Sequence, residues 1–433
     1  MRKVAVIGGG WAGCAAAVEL AGRGSAVTLY ESARSPGGRA RAVSINGVSL
    51  DNGQHILLGA YSESLRLLRV VGVRTEDALL RLPLQMRYPN GSGMDFVTPR
   101  LPAPLHMLAG LIRAKGLDRD DKLALARFST TARWMDWRLN VDCSVDELLR
   151  RFDQTETLIR LMWQPLCIAA LNTPPERASA QVFLNVLRDS LGARRAASDM
   201  LIPRVDLGTL FPKRAVEFIE RHGARVAYGT TVSALQANGS CWKVCHQDGG
   251  EEFDAIVVAT SAHQAARLLS SLMDTSLLDS LEHEPITTCY LQYGAALSLE
   301  HPFFALADDE RSRCWGQFVF DRGQLDPTQA GLLAVVISAS SAAIAERNDA
   351  LARDVTAQLA TVFGKQELMS PKWVKVISEK RATFSCRPGL TRPLNDTGIR
   401  GLVLAGDYTA GDYPATLEAA IRSGVQAAAF LRQ

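Results

Sequence analysis

The sequence predicts an α/β fold of two interleaved domains, and three observations carry that prediction. The continuous apolar run Val4 to Ile7 leads straight into Gly-Gly-Gly-Trp-Ala-Gly, as a strand buried on both faces of a parallel sheet would. A second strand-like run, Val27 to Tyr30, ends in Glu31 after a stretch of small residues that suits a close-packed helix. That order is βαβ, the start of a doubly wound, Rossmann-like sheet. The third observation is a return: after hundreds of residues the chain closes with Gly401-Leu-Val-Leu-Ala-Gly-Asp-Tyr and a helix-like stretch from Thr416 to Gly424.

At 433 residues the chain is long for one core, and 47% hydrophobic residues are ample for two. A net charge of +3 implies no polyanion-binding role and no nucleic-acid partner. Cys241 and Cys245 share one side of a strand but lack a second ligand pair, so no metal is expected. No stretch reaches the ~18 apolar residues of a membrane span. Met1 and Arg2 run into a strand that the fold needs, so no signal peptide is expected. The expected location is the cytoplasm, with thiols reduced.

Between the two ends the pattern changes. Met86 to Phe96 carries an Asn-Gly turn and reads as a hairpin. From Leu105 to about Arg188 the pattern is helical, with breaks at Pro165 and Pro174-Pro175. Strand signals return at Ala224 to Val232 and Ala255 to Thr260. Residues 286 to 380 then alternate strand-like runs, Thr287 to Tyr293 and Leu332 to Ser338, with a helix near 350 to 362. The expected domains are therefore discontinuous. Residues 1–75, 203–280 and 385–433 form a nucleotide-binding domain. Residues 76–202 and 281–384 form a substrate domain with a mixed sheet and a helical insertion over 101–202.

Gly8, Gly10 and Gly13 have the spacing of a dinucleotide turn. Gly8 permits the tight exit from the strand, Gly10 clears space for a pyrophosphate and Gly13 allows the helix to pack closely. The helix start, with Trp11 and Ala12 in its first turn, offers free N–H groups and a positive dipole end. Glu31 can accept hydrogen bonds from both ribose hydroxyls. Pro36-Gly37-Gly38-Arg39 exposes backbone N–H groups and adds a guanidinium fork for the pyrophosphate, with a solvated surface arginine as the alternative reading. Two distant halves finishing one pocket point to a flavin.

This constellation resembles the FAD-dependent amine oxidase and phytoene desaturase superfamily. All four of its marks are present: Gly8 to Gly13, Glu31, Gly37 to Arg39, and Gly406-Asp407. The resemblance implies FAD as cofactor. It places Asp407 at the ribityl chain or pyrophosphate and the Val232 backbone at the adenine edge. It also aims a helix starting near Pro414, with Ala415 and Thr416, at the flavin ring, and sets Gly53, Gln54 and His55 beside the flavin. Proline also suits a first helical turn.

Asp51 to Tyr61, Leu101 to Leu105, Leu171 to Glu176, Pro203 to Leu207 and Gly406 to Thr409 narrow the likeness. Together they resemble the hydroxysqualene dehydroxylase family. That resemblance implies reduction of an apolar C30 isoprenoid, hydroxysqualene, to squalene in hopanoid biosynthesis, with hydride from reduced flavin, acid-assisted loss of water and an unidentified electron donor. An apolar tunnel would exclude water. For the acid, His55 is the first candidate because histidine titrates near neutrality, with a loop-shaping, backbone-bonded histidine as its alternative. Tyr413 and Asp412 are the others, Asp412 with a helix-cap reading beside it. Asp51 can equally serve the loop backbone. Leu105 to Ile112, with Arg113 and Lys115 behind, reads either as a shallow anchor on the inner face of the membrane or as an ordinary buried helix. Rival functions are an oxidative polyprenoid desaturase, an amine oxidase and a non-catalytic isoprenoid carrier.

Overall fold

The computed structural model describes residues 1–431. Ten strands build its two main sheets: β1 (Lys3–Ile7), β2 (Ala26–Glu31), β3 (Arg225–Tyr228), β4 (Ala255–Val258), β5 (His283–Gln292), β6 (Phe303–Ala305), β7 (Phe318–Asp321), β8 (Leu332–Ser338), β9 (Trp373–Phe384) and β10 (Leu402–Leu404). The first sheet has the order β3-β2-β1-β4-β10 and is parallel throughout. Its strands come from three stretches of chain far apart in sequence. Their fully buried apolar side chains, such as Val4, Val6, Ile256 and Leu402, are what a sheet covered on both faces requires.

Helices α1 (Trp11–Ala21) and α7 (Leu417–Phe430) pack against each other on one face of this sheet. Gly424 permits the approach: a Cβ there would stand 2.1 Å from the Ala12 carbonyl oxygen. Gly13 instead lets α1 lie close to the turn that leaves β1, where a Cβ would stand 1.9 Å from the Gly8 carbonyl oxygen. The N- and C-terminal segments thus meet at a contact that only a hydrogen side chain at position 424 allows.

The second sheet is antiparallel, in the order β6-β7-β8-β5-β9. Its side chains alternate with period two. Cys289, Leu291, Val335 and Ile337 pack against helix α6 (Asn348–Phe363), whereas Tyr290, Phe303, Phe320, Ala334 and Val336 face the large core shared with the helical insertion. Gln85–Arg87 pairs with Asp95–Val97, the hairpin expected from the Asn-Gly turn.

The insertion contains α2 (Leu105–Arg113), α3 (Arg119–Trp134), α4 (Gln164–Leu171) and α5 (Ala180–Leu187). Pro165 does not break the chain here as expected. A π-helical turn, Ile159–Trp163, runs directly into α4, so the helix continues past the proline. Proline cannot donate to the carbonyl four residues back. That carbonyl, on Leu161, instead accepts from the Tyr88 hydroxyl at 3.0 Å. The expected run from Ala224 to Val232 also divides: β3 ends at Tyr228, Gly229 turns at φ 64°, and Val232–Asn238 joins a separate three-stranded meander. In that meander Cys241 and Cys245 lie on the same, partly exposed side of their strand. Among the described residues no group of three or more His, Cys, Asp or Glu side chains is arranged to hold a metal ion.

Candidate functional site

The C-terminal ends of β1, β2, β4 and β10 meet along one edge, where ligands of doubly wound sheets bind. Gly8 leaves β1 at φ 107°, and a Cβ there would meet the Ala259 carbonyl at 2.6 Å. Gly10 differs: a Cβ would meet nothing nearer than the Gly38 Cα at 4.0 Å. Protein packing therefore explains glycine at positions 8 and 13, while the space at Gly10 is left for something else. Gly10 is also the N-cap of α1, which has no side-chain cap and no acidic residue in its first turn. The first N–H groups of α1, including those of Trp11 and Ala12, are left for an anion. The Trp11 side chain is turned away, with its indole N–H 3.3 Å from the Ala40 carbonyl and its ring against Phe211.

Glu31 is buried, with Oε2 accepting from Gly9 N–H at 2.8 Å and Oε1 from Ala33 N–H at 2.7 Å. These bonds aim the carboxylate; the Ser32 hydroxyl also donates to Oε1 at 3.4 Å, while Oε2 keeps a second lone pair for a ribose hydroxyl. Thr230 N–H donates to the Glu31 carbonyl at 3.0 Å, which brings the chain leading to Val232 against the end of β2.

The second glycine pair joins the first. Gly38, at φ 61°, faces Gly10 across the same space. The Arg39 guanidinium donates to Asp407 at 2.5 Å and to the Ala382 carbonyl at 2.7 Å. One side chain thus ties the N-terminal glycines, the end of β9 and the late Gly-Asp segment. Burial opposes the Arg39 charge, but the Asp407 carboxylate outweighs it and its pKa is raised. Gly406 N–H donates to Ser423 Oγ at 2.9 Å, fixing that segment to α7. Beside the Arg39–Asp407 pair lies a cavity of about 310 Å³, also lined by His263, His283, Arg381 and Tyr408.

The C-terminal helix begins later than expected. Its N-cap is Thr416, whose side chain accepts from Ala419 N–H, and Pro414 and Ala415 lie before it. The helix-cap reading of Asp412 is therefore corrected, because Thr416 occupies the cap. Asp412 is exposed and paired with Arg188 at 3.5 Å. The Tyr413 hydroxyl donates to Asp189 at 2.8 Å, and burial followed by that bond raises its pKa. His55 Nδ1 is 2.7 Å from the Gly53 carbonyl. Burial lowers the His55 pKa and Arg39 adds to this, against the opposing pull of the Gly53 carbonyl. The neutral ring donates from Nδ1 and leaves Nε2 as an acceptor. Asp51 serves the loop backbone: it accepts from Leu207 N–H at 2.8 Å, and burial raises its pKa to about 7.

Among the described residues eight buried side-chain polar atoms have no hydrogen-bond partner, and three of them, Gln54 Nε2, Thr288 Oγ1 and the Tyr408 hydroxyl, lie in or beside the Gly53–His55 loop and the Gly406–Asp407 segment. Thr288 Oγ1 and the His55 ring both border Gly53. Buried polar groups are ordinarily satisfied, so such atoms mark where a polar ligand fits. The open space at Gly10, the uncapped α1 and the unspent Gln54 and Thr288 groups fit a dinucleotide carrying a polar ring system. Tyr408 is the residue that motif reading undervalued. Its place beside Asp407 is visible in the sequence, but its unspent hydroxyl is visible only once the chain is packed.

The profile described as flavin containing amine oxidoreductase matches residues 11–431. The chain belongs to this family. It is an FAD-dependent oxidoreductase. It is 29% identical to hydroxysqualene dehydroxylase of Rhodopseudomonas palustris, covering 99% of this chain and 97% of that one. It is 25% identical to zeta-carotene desaturase of a Synechocystis species, covering 98% and 96%. An oxidoreductase from Methanosarcina mazei shares the fold with a TM-score of 0.75, at 16% identity over the whole of both chains. In this FAD site Glu31 and the Val232 backbone would hold the adenosine. Gly8 to Gly13, Gly38 and Arg39 would hold the pyrophosphate. Gly406, Asp407, Gly53 to His55 and Pro414 to Thr416 would border the flavin end. Among the described residues no helix is long and apolar enough to cross a membrane.

Proposed function

We propose that this oxidoreductase reduces hydroxysqualene to squalene with loss of water. The observation that carries the reading is the end-to-end similarity to the Rhodopseudomonas palustris enzyme, which spans the helical insertion as well as the FAD segments. A second support is chemical. The inward face of the antiparallel sheet, with Tyr290, Phe303 and Phe320, belongs to one apolar cluster with Phe128, Trp163 and Phe183 of the insertion. An apolar C30 chain needs walls of that kind.

In the proposed reaction the carbon–oxygen bond breaks, the hydroxyl takes a proton and leaves as water, and a hydride joins the carbon. Bound reduced FAD supplies that hydride, and an external reductant of unassigned identity restores it. The chain excludes water and provides the proton. Of the three initial candidates, His55 borders the polar rim at Gly53 but presents an acceptor, while Tyr413 and Asp412 are engaged with Asp189 and Arg188. Tyr408 is the better assignment. Burial, then the neighbouring Asp407, raises its pKa, so the phenol keeps its proton, and that proton has no protein acceptor among the described residues.

The similarity to zeta-carotene desaturase favours one second reading, oxidative desaturation of a polyprenoid in the same site. Anaerobic incubation decides between them. Squalene formed from hydroxysqualene and the reduced holoenzyme supports dehydroxylation. No squalene, with further conjugation of zeta-carotene by the oxidised holoenzyme, replaces it with desaturation.

A further inference from the structure

Helix α2 is apolar on both sides. His106, Gly110 and Leu111 point into the protein and are buried. Leu105, Leu108 and Ile112, spaced to share the opposite face, are 53%, 53% and 65% exposed. Leu123 of α3, 50% exposed, extends that face. Between the helices runs a groove of about 390 Å³, lined by Leu108, Ile112, Leu117 and Leu123. A helix is ordinarily polar where it meets water, and a contiguous apolar face of this kind marks a contact surface.

Charge selects the partner. Arg119 and Lys122 line the groove, and exposed Arg113 and Lys115 follow α2. Asp118 and Asp120 are the nearby exposed carboxylates, and Asp118 is engaged in capping α3 at Asp121 N–H. The rim is therefore cationic on balance. A second copy docked on the same face would bring like charges together, whereas an anionic lipid surface meets both the apolar face and its rim.

We infer that the α2–α3 face docks on an anionic phospholipid bilayer, with Leu105, Leu108, Ile112 and Leu123 entering the headgroup boundary. The inference rests on this surface and not on the substrate, so it and the proposed reaction fail separately.

The test is co-sedimentation of the FAD-loaded full chain with vesicles of phosphatidylcholine, with and without phosphatidylglycerol. Retention is expected on the anionic vesicles at low salt, weakening as salt rises. Leu108→Glu with Ile112→Glu should reduce binding at least tenfold while flavin content and melting temperature stay unchanged. Leu108→Ser with Ile112→Ser, a milder pair, should reduce it in the same direction if the glutamates disturb the fold. No retention at low salt overturns the inference. So does unchanged binding by the folded variants, or self-association of the wild-type chain that these substitutions abolish.

Discussion

At Gly10 and Gly13 one residue type serves two purposes, and substitution separates them. Gly13→Ala places a methyl group 1.9 Å from a backbone oxygen, so a loss of about 3 kcal/mol of apoprotein stability is expected. Gly10 has φ −72° and ψ 179°, which alanine adopts, and open space beyond. Gly10→Ala should change apoprotein stability by no more than about 1 kcal/mol yet weaken FAD at least tenfold. Denaturant unfolding of the apoproteins and flavin titration read the two effects, and equal stability loss in both variants would defeat the distinction. Tyr408→Phe should keep flavin and lower turnover by about 100-fold if the phenol protonates the leaving hydroxyl, while Tyr413→Phe stays within a few-fold. Asp51 adds a pH test. Burial raises its pKa from 3.8 to about 7, so between those values the folded chain holds a proton that the unfolded chain has released. Its contribution to stability therefore falls as pH rises through that window and is level above it. Asp51→Asn keeps an oxygen for Leu207 N–H and removes the titration. Its melting temperature should gain on the wild type from pH 4 to 7 and no further.

Elements whose causes are local could be read in advance. The first βαβ unit follows from apolar runs and glycine spacing, and the Gln85–Val97 hairpin from its Asn-Gly turn. Elements stabilised from a distance could not. The π-turn before Pro165 depends on the Tyr88 hydroxyl, 73 residues earlier. The late start of α7 reflects the Thr416 cap, where Pro414 had offered an equally plausible first turn. The Leu171 to Glu176 stretch was legible as a family mark but not as a joint. Asn172 ends α4 in the left-handed region at φ 47°. Its side chain donates to Thr383 Oγ1 at 2.9 Å and accepts from Ala339 N–H at 2.6 Å, which ties the insertion to the antiparallel sheet. Asn172→Ala should cost about 3 kcal/mol. Asn172→Gly, which relieves the backbone but lacks the bonds, should cost less than alanine and still more than 1 kcal/mol. Urea unfolding measures both, and a neutral glycine variant would reduce Asn172 to a backbone role.

The whole molecule packs the two ends of its chain together, and the sequence pointed to one nucleotide site there because both ends carry glycine motifs. What joins the ends was hidden, because it consists of contacts between positions hundreds of residues apart. Gly424 meets Ala12, Arg39 meets Asp407, and buried Glu418 of α7 accepts from Ser64 N–H at 2.9 Å. A ligand bound by the folded state alone stabilises it by mass action, about 2.7 kcal/mol at a hundredfold excess over its dissociation constant. In this architecture that stabilisation must reach both ends together. Hydrogen exchange should therefore slow in residues 8–14, 37–41 and 404–424 at the same FAD concentration. Asp407→Asn removes the charge that holds Arg39, so it should weaken FAD and shift all three segments to higher FAD in parallel. If FAD protected the first two segments and left 404–424 unchanged, the C-terminal half would be packing support and not part of the site.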